Sequence, residues 1–233
     1  LGRPLAQGRP RPPGAATVTA GVRGNEFVVV QRLLPAQGRH GAVVEYRWSV
    51  APSTSSGTEG DAALCRVHVA PTHHRSAENT WPRIGYRLTL PSAYARAAWC
   101  GTGPGEAYPD SREASLVGSY ESAIDDLAFA YAVPQETGHR PELRRLVITG
   151  NGVPRLTVDT YGPDRPGFSL LRHDAYEMAA AGHAHELPVS RGVHLYLDAF
   201  QHGLGTRSCG PDVLPEHQLW PREASFGFRL AVG

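Results

Sequence analysis

The chain of 233 residues is long enough for one large all-β domain or two small domains, and its 41% of hydrophobic residues can build a core of ordinary size. Its 23 Lys+Arg residues nearly balance 22 Asp+Glu without forming a basic stripe, so nucleic acid is not an expected partner. No apolar run approaches the roughly 20 residues of a membrane-spanning helix, and three widely spaced cysteines are not a secreted disulfide framework, which indicates a reduced, cytoplasmic setting.

The N-terminal segment differs from the rest in composition. Residues 1–14 are rich in Arg, Pro and Gly and lack the apolar stretch of a signal peptide. The chain begins with Leu1 rather than Met, so we expect it to have been cut from a longer one. We predict a leader or the remnant of an upstream linker at residues 1–24 and a single domain over residues 25–233.

Alternation of apolar and polar residues recurs along that domain. Successive side chains on a strand point to opposite faces, so such a segment has one face to bury and one to leave in water. Gly (26 residues) and Pro (20 residues) are abundant, as expected for a chain that turns often. The pattern predicts an all-β, antiparallel β-sandwich. The clearest strands are residues 44–50, 65–69, 84–90, 193–198 and 226–232.

Helix signals are few, and two segments are typical of loops. Residues 174–181 predict a helix that Asp174 caps and Gly182 ends, and residues 122–128 predict a turn or two. Residues 53–60 and 101–120 have the polar and Gly/Pro-rich composition of loops. A loop as long as 101–120 inside a compact domain is more often functional than idle.

Three motifs stand out against this background. The first, at residues 99–110, reads WCGTGPGEAYPD and contains Gly103, Pro104, Glu106, Tyr108 and Asp110. The second, at residues 131–138, reads YAVPQETG and contains Pro134, Gln135, Glu136 and Gly138. The third, at residues 198–211, reads DAFQHGLGTRSCGP and contains Gly203, Gly205, Arg207, Ser208 and Cys209.

In this order the three motifs resemble the small-chain domain, the C-terminal β-sandwich of large multidomain bacterial β-galactosidases of glycoside hydrolase family 2. The resemblance implies a large twisted sandwich of the galactose-mutarotase-like supersandwich type, here shorter at its N-terminus than usual. It also implies a retaining hydrolase that removes terminal non-reducing β-D-galactose residues. One departure is Ser111, which stands between the motif aspartate and Arg112, where the family commonly has Arg directly after the aspartate.

The catalytic groups of such an enzyme are expected outside this chain. Retaining glycosidases use two carboxylates about 5 Å apart, and in the resembling family both lie on a (β/α)8 barrel. This sequence lacks the strand–helix alternation of a barrel, so it offers no catalytic residue and the chain alone should be inactive. Glu106 and Glu136 are interpreted as structural, each tying up loop N–H groups or pairing with Arg.

The resemblance assigns the third motif to the substrate. In the resembling enzymes its loop reaches the mouth of the barrel and completes the aglycone side of the active site. Arg207, Ser208 and Cys209 are then close to the substrate, Cys209 at a position where some members carry a stacking Trp. The alternative is a Gly-rich strand connection with a semi-buried Cys.

Partners and cofactors follow from the same resemblance. The expected partners are the barrel-bearing part, on the same polypeptide or on a large subunit, a galactoside substrate, and further copies in a homo-oligomer. Mg²⁺ and a monovalent cation are expected to bind through other domains, with no cofactor or metal in this chain. His183 with His185, and His73 with His74, lack the spacing of a structural zinc site and are interpreted as hydrogen-bonding histidines.

Two other functions remain open at this level. The chain could be a stand-alone carbohydrate-binding or mutarotase-like module, in which His185 and Glu136 would supply acid and base. It could also be a purely structural remnant without sugar contact. The tryptophans are interpreted as core or hinge packing rather than as a sugar-stacking platform; they are Trp48, Trp81, Trp99 and Trp220.

Overall fold

A computed structural model describes residues 14–34, 41–51, 62–72, 80–205, 210 and 212–233. Within these residues the protein is an antiparallel β-sandwich of two open sheets, which confirms the predicted all-β class. No helix in the described part of the chain is long and apolar enough to cross a membrane.

The larger sheet has nine strands, every neighbouring pair of which is antiparallel. Its order across the sheet is β1-β2-β3-β4-β12-β9-β8-β6-β7. The strands are β1 (Gly14–Arg23), β2 (Glu26–Leu34), β3 (Ala42–Ala51), β4 (Ala62–Pro71), β6 (Tyr94–Gly103), β7 (Leu116–Ala123), β8 (Arg145–Gly150), β9 (Leu156–Tyr161) and β12 (Ala224–Val232).

The smaller sheet has three strands in the order β10-β11-β5. They are β5 (Arg83–Leu90), β10 (Gly167–Leu171) and β11 (Val193–Gln201). The core lies between the two sheets and combines side chains of both, such as Phe228 of β12 and Leu195 of β11, neither of which is exposed. Each clear alternating segment of the sequence forms a strand, as predicted.

Strand β11 departs from the predicted pattern on one face. Val193, Leu195 and Leu197 face the core as expected, but Tyr196 and Asp198 on the opposite face are also buried. The expectation that this face would be wet was wrong, because other parts of the chain cover it. Tyr196 packs with Leu171 and Met178, and the side chain of Arg83 lies over its ring.

The helix is the one predicted from residues 174–181. It forms α1 (Ala175–Ala180), and Asp174 caps it by accepting hydrogen bonds from the N–H groups of Tyr176 and Glu177. The Glu177 side chain accepts in turn from the Asp174 N–H, which completes a capping box. Residues Ile124–Asp126 form a short 3-10 turn, in keeping with the turn predicted there.

The long loop predicted at residues 101–120 is shorter than expected. Residues 101–103 continue β6, residues 116–120 belong to β7, and Gly101 pairs with Gly118. The glycines of these two strands leave room for the side chain of Tyr120. A Cβ on Gly103 or Gly118 would lie within 3.0 Å of it. The true connection is residues 104–115, and its first half contains the polar part of the first motif.

The division predicted between residues 24 and 25 falls at a tight turn. Gly24 has φ +62 and joins β1 to β2, and the two strands pair along their length. Residues 14–23 therefore continue the larger sheet. The origin of residues 1–24 as a leader or linker remnant stays a prediction.

Candidate functional site

The three motifs meet around the short loop of residues 104–110, which leaves the end of β6. Glu106 and Tyr108 of this loop contact the second motif, and its last residue, Asp110, contacts the middle of the third motif. Segments far apart in the sequence are thereby joined at one end of the sandwich. The contacts of four side chains define this junction: Glu106, Glu136, Asp110 and Arg140.

Glu106 holds the second motif in place. One carboxylate oxygen accepts hydrogen bonds from Thr137 Oγ1 at 2.8 Å and from the Gly138 N–H at 2.6 Å, and the other accepts from the Tyr131 hydroxyl. Gly138 has φ +76, a conformation that glycine adopts without strain. Both oxygens of Glu106 are therefore used in fixing the turn of the second motif.

Arg140, which follows the second motif, is a buried cation that the sequence analysis missed. Its guanidinium donates to the carbonyl oxygens of Pro104 at 2.9 Å, Gly138 at 2.9 Å and Leu127 at 3.1 Å. It also lies over the Trp99 ring, 5.2 Å from the ring centroid. Burial lowers the pKa of Arg140 to about 10, which leaves it charged at neutral pH. An Arg can bridge several carbonyls because its five donors spread in a plane.

Glu136 belongs to a second network that reaches β11. It pairs with Arg83 at the start of β5 and accepts a hydrogen bond at 3.1 Å from the buried Tyr108 hydroxyl. The same Arg83 donates at 3.1 Å to Asp198, which also accepts from Gln201 at 2.8 Å. Arg83 is thus the cation between two carboxylates.

Asp198 is the most deeply buried carboxylate of this network. Its Oδ1 has no hydrogen-bond partner among the described residues, and the side chain is 1% exposed. Burial raises the pKa of Asp198 to about 6, although Arg83 and Gln201 act in the opposite direction. Gly85 leaves the room for this side chain, since a Cβ there would lie 2.1 Å from Asp198 Oδ1.

Asp110, the last residue of the first motif, anchors the middle of the third motif. Its Oδ1 accepts from the Leu204 N–H at 3.1 Å and its Oδ2 from the Gly205 N–H at 2.7 Å. Two glycines make this approach possible: a Cβ on Gly203 would lie 2.7 Å from Asp110 Oδ2, and Gly205 has φ +67. Arg207, Ser208 and Cys209, predicted to be near the substrate, lie outside the described residues.

The remaining motif residues are either buried and structural or exposed on the surface. Tyr108 is buried and its hydroxyl also accepts from the His139 N–H at 3.3 Å. Pro134 is half-buried, whereas Gln135 is exposed. Arg83, Asp198 and Arg140 were not chosen from the sequence as site residues. For Arg83 and Asp198 the available signal was a charged residue within a predicted strand or at its end.

The histidines do not gather at a metal site in the part that the structure describes. No group of three or more His, Cys, Asp or Glu side chains among these residues is arranged to hold a metal ion. His183 and His185 stack with ring centroids 5.4 Å apart, and His183 Nδ1 lies 3.3 Å from a carboxylate oxygen of Glu186. His73 and His74 lie outside the described residues.

The tryptophans mostly pack, as interpreted. Trp99 is 4% exposed and donates its ring N–H to the Thr102 carbonyl at 3.0 Å, while Trp48 and Trp81 pack against the core. Trp220 differs, with 41% of its surface exposed. As for the mutarotase-like alternative, Glu136 is engaged by Arg83 and Tyr108, whereas His185 lies on the surface against His183.

We predict that the stability of the protein depends on pH through His139, which lies in this junction. Burial lowers the pKa of His139 from 6.5 to about 3, with Arg83, Arg140 and Arg112 adding to the effect, and its Nδ1 has no partner among the described residues. The unfolded chain therefore takes up this proton first as pH falls. The stability that depends on neutral His139 is present above pH 6.5 and is lost progressively toward pH 3.

We accordingly expect His139→Gln to flatten the loss of stability on acidification. The measurement is urea unfolding of both proteins at intervals between pH 7 and pH 4, where one group contributes at most about 1.4 kcal/mol per pH unit. Asp198 contributes the opposite slope between about pH 4 and 6, because its raised pKa favours the protonated folded state. It is present in both proteins, so their difference isolates His139. Equal slopes would contradict the prediction.

This arrangement defines a class of protein. In the described part, the motif carboxylates bind backbone N–H groups, hydroxyls and Arg, and they fix a glycine-rich loop at one end of an antiparallel sandwich. The class is thus an antiparallel β-sandwich in which motif carboxylates hold loops in place.

The family model for the β-galactosidase small chain matches residues 21–230, and the chain belongs to this family. It is 41% identical over 206 residues to a β-galactosidase of Arthrobacter sp. (strain B7), a match that covers 87% of this chain and 19% of the relative. It is 35% identical over 151 residues to the β-galactosidase of Kluyveromyces lactis, covering 65% of this chain and 14% of the relative. The chain thus spans about a fifth or less of these relatives.

Proposed function

We propose that this chain is an accessory domain of a β-galactosidase and completes the aglycone side of its active site. The reaction is the retaining hydrolysis of terminal non-reducing β-D-galactose, with acid/base and nucleophile on a barrel outside this chain. The observation that carries the proposal is the pair of hydrogen bonds that the Asp110 carboxylate accepts from the N–H groups of Leu204 and Gly205. It fixes the backbone immediately before Arg207, Ser208 and Cys209.

The chemistry requires a rigid wall at that position. Groups that orient a substrate accelerate a reaction only when they hold their place, because positional freedom must otherwise be lost in the transition state. Asp110 supplies that rigidity by joining the loop to the connection that follows β6, while Gly203 and Gly205 let the backbone approach the carboxylate closely. A small side chain at position 209 then leaves room for the leaving sugar.

The remaining assignments follow from this role. The partner is the barrel-bearing part of the enzyme, on the same polypeptide or a large subunit, and the ligand is a galactoside. The chain alone is inactive, and the complete enzyme is a cytoplasmic homo-oligomer. Mg²⁺ and a monovalent cation, where the enzyme uses them, bind through residues outside this chain.

The direct test replaces Cys209 in the full-length protein. Cys209→Trp adds a flat stacking surface, and we expect KM for lactose to change with kcat/KM shifting about tenfold, equivalent to about 1.4 kcal/mol. Cys209→Ala should shift the same constants less, because it removes only a small contact. Steady-state kinetics with lactose measures both variants. Unchanged constants for both would reject the aglycone role.

A further inference from the structure

An apolar segment, residues 127–135, precedes and overlaps the second motif; Leu127 at its start is buried, and the residues after it are exposed or half-buried. Its sequence is LAFAYAVPQ, which contains no charged residue. Phe129 is 61% exposed and Val133 is 51% exposed, and Ala128, Ala130 and Ala132 are exposed as well. Single exposed apolar residues are ordinary on protein surfaces, but a contiguous uncharged patch marks a contact with another surface.

The segment is held in one conformation. The Phe129 N–H donates to Thr137 Oγ1 at 2.7 Å, the Tyr131 hydroxyl donates to Glu106, and Arg140 donates to the Leu127 carbonyl at 3.1 Å. The rings of Phe129 and Tyr131 pack with centroids 4.7 Å apart. These buried polar anchors hold apolar side chains outward, which costs free energy in water unless something covers them.

A cavity of about 280 Å³ lies directly beside this segment. One wall is formed by Phe129, Tyr131 and Pro134. The rest of its lining combines the apolar side chains of Leu171, Met178 and Leu187 with the polar residues Asp125, Arg172 and His173. A large apolar side chain from another surface fits such a recess, and buried anchors of this kind dominate the binding energy of interfaces.

We infer that residues 127–135 and this cavity dock against the remainder of the β-galactosidase polypeptide. This inference rests on the proposed function and names the surface through which it operates. The match that covers 87% of this chain covers 19% of the Arthrobacter relative, so most of that polypeptide lies outside the matched region.

The position of the segment also favours the remainder of the β-galactosidase polypeptide as the docking partner. The loop of residues 104–110 contacts the segment through Glu106 and contacts Leu204 and Gly205 through Asp110. The surface that docks and the loop that reaches the substrate are therefore fixed to one support. Docking at residues 127–135 would set the position of the aglycone wall relative to the barrel.

Cysteine accessibility in the full-length protein tests the inference. Ala130→Cys is a small change at an exposed position of the segment, and Val189→Cys, at a residue 89% exposed, is the matched control. A water-soluble maleimide is applied to each folded protein, and peptide mass spectrometry follows each cysteine separately. We expect Cys labelling at position 130 to be roughly a hundredfold slower than at position 189, and the two rates to become equal in urea.

Three outcomes decide the matter. Slow labelling that persists when the oligomer is diluted to monomers supports docking within the polypeptide. Slow labelling that is lost on dissociation assigns the cover to a second copy and overturns the inference, as does equally fast labelling at both positions. The kinetics of Cys209→Trp are independent of this readout, so failure here leaves the aglycone role to be judged on its own result.

Discussion

Arg83→Ala is expected to lower the free energy of unfolding of the chain by about 3–5 kcal/mol, the usual cost of removing one partner from a buried ion pair. Arg83 is the cation shared by Glu136 and Asp198, and its guanidinium also lies over the Tyr196 ring at 4.4 Å. Without it, Asp198 would keep only Gln201 as a hydrogen-bond donor among the described contacts. A buried carboxylate would then be left without a counterion.

The pH dependence of this loss of stability distinguishes the effect of an unpaired buried charge from the effect of lost packing. The pKa of Asp198 is already raised to about 6 by burial, and Arg83 acts to lower it, so removing Arg83 raises it further. A protonated Asp198 does not need the cation. The difference in stability between wild type and Arg83→Ala should therefore be larger at pH 7.5 than at pH 5, because it shrinks as pH falls from the raised pKa of the variant toward about 6 and then levels off.

Urea unfolding at pH 7.5 and pH 5 measures both effects. Arg96→Ala is the matched control, because Arg96 and Glu121 form an exposed pair at 3.7 Å, for which a change below about 1 kcal/mol is expected. Adding Asp198→Asn to Arg83→Ala should recover part of the loss by removing the unpaired charge. A cost for Arg83→Ala that matches the control, or that does not depend on pH, would refute this account of the network.

Asp110→Ala is expected to lower kcat/KM for lactose about tenfold in the full-length protein, equivalent to about 1.4 kcal/mol. The substitution removes the acceptor of two backbone hydrogen bonds, from Leu204 and Gly205, and frees the loop that precedes Cys209. Because the carboxylate positions the loop and does not touch the reacting atoms, the effect should fall mainly on KM. Asp110→Asn keeps one carboxylate-like oxygen and should fall between wild type and Ala.

Two comparisons make the result specific to the loop. Arg112→Ala lies in the same connection but removes only an exposed ion pair with Glu142 at 2.9 Å, so kinetics close to wild type are expected. Nitrophenyl galactoside has a smaller leaving group than lactose, so its KM should respond less to Asp110→Ala. An equal loss of kcat with both substrates and an unchanged KM would show that Asp110 does not act through the aglycone wall.

The sequence predicted the parts of the fold that one strand or helix decides locally. Strand β4 follows from the alternation of Cys65, Val67 and Val69 with polar residues, and α1 follows from Asp174 and Glu177 at capping-box spacing. Strand β10 gave no such signal, because all five of its residues are buried and its two faces cannot be told apart by composition. Residues 101–103 were predicted to be a loop because two of the three are glycines, which carry no side chain to show strand alternation. Only the structure shows that the Tyr120 side chain packs against Gly103.

The same distinction between local and tertiary information applies to the candidate site. The motifs, read in order, identified the family and gave Glu106, Glu136 and Asp110 as residues of interest, because their types and spacing are local properties of the chain. Which groups they bind depends on contacts between distant segments: Arg83 lies 53 residues from Glu136 and 115 from Asp198.

By itself, then, the sequence determined the class of fold, the helix cap and the identity of the motifs, since these depend on neighbours within a few residues. Only the tertiary structure decided that Asp198 is buried, that Arg83 joins two carboxylates and that Asp110 holds Leu204 and Gly205. The physical reason is that burial and ion pairing depend on which strands pack together, and side-chain periodicity fixes the face of a strand but not what covers it.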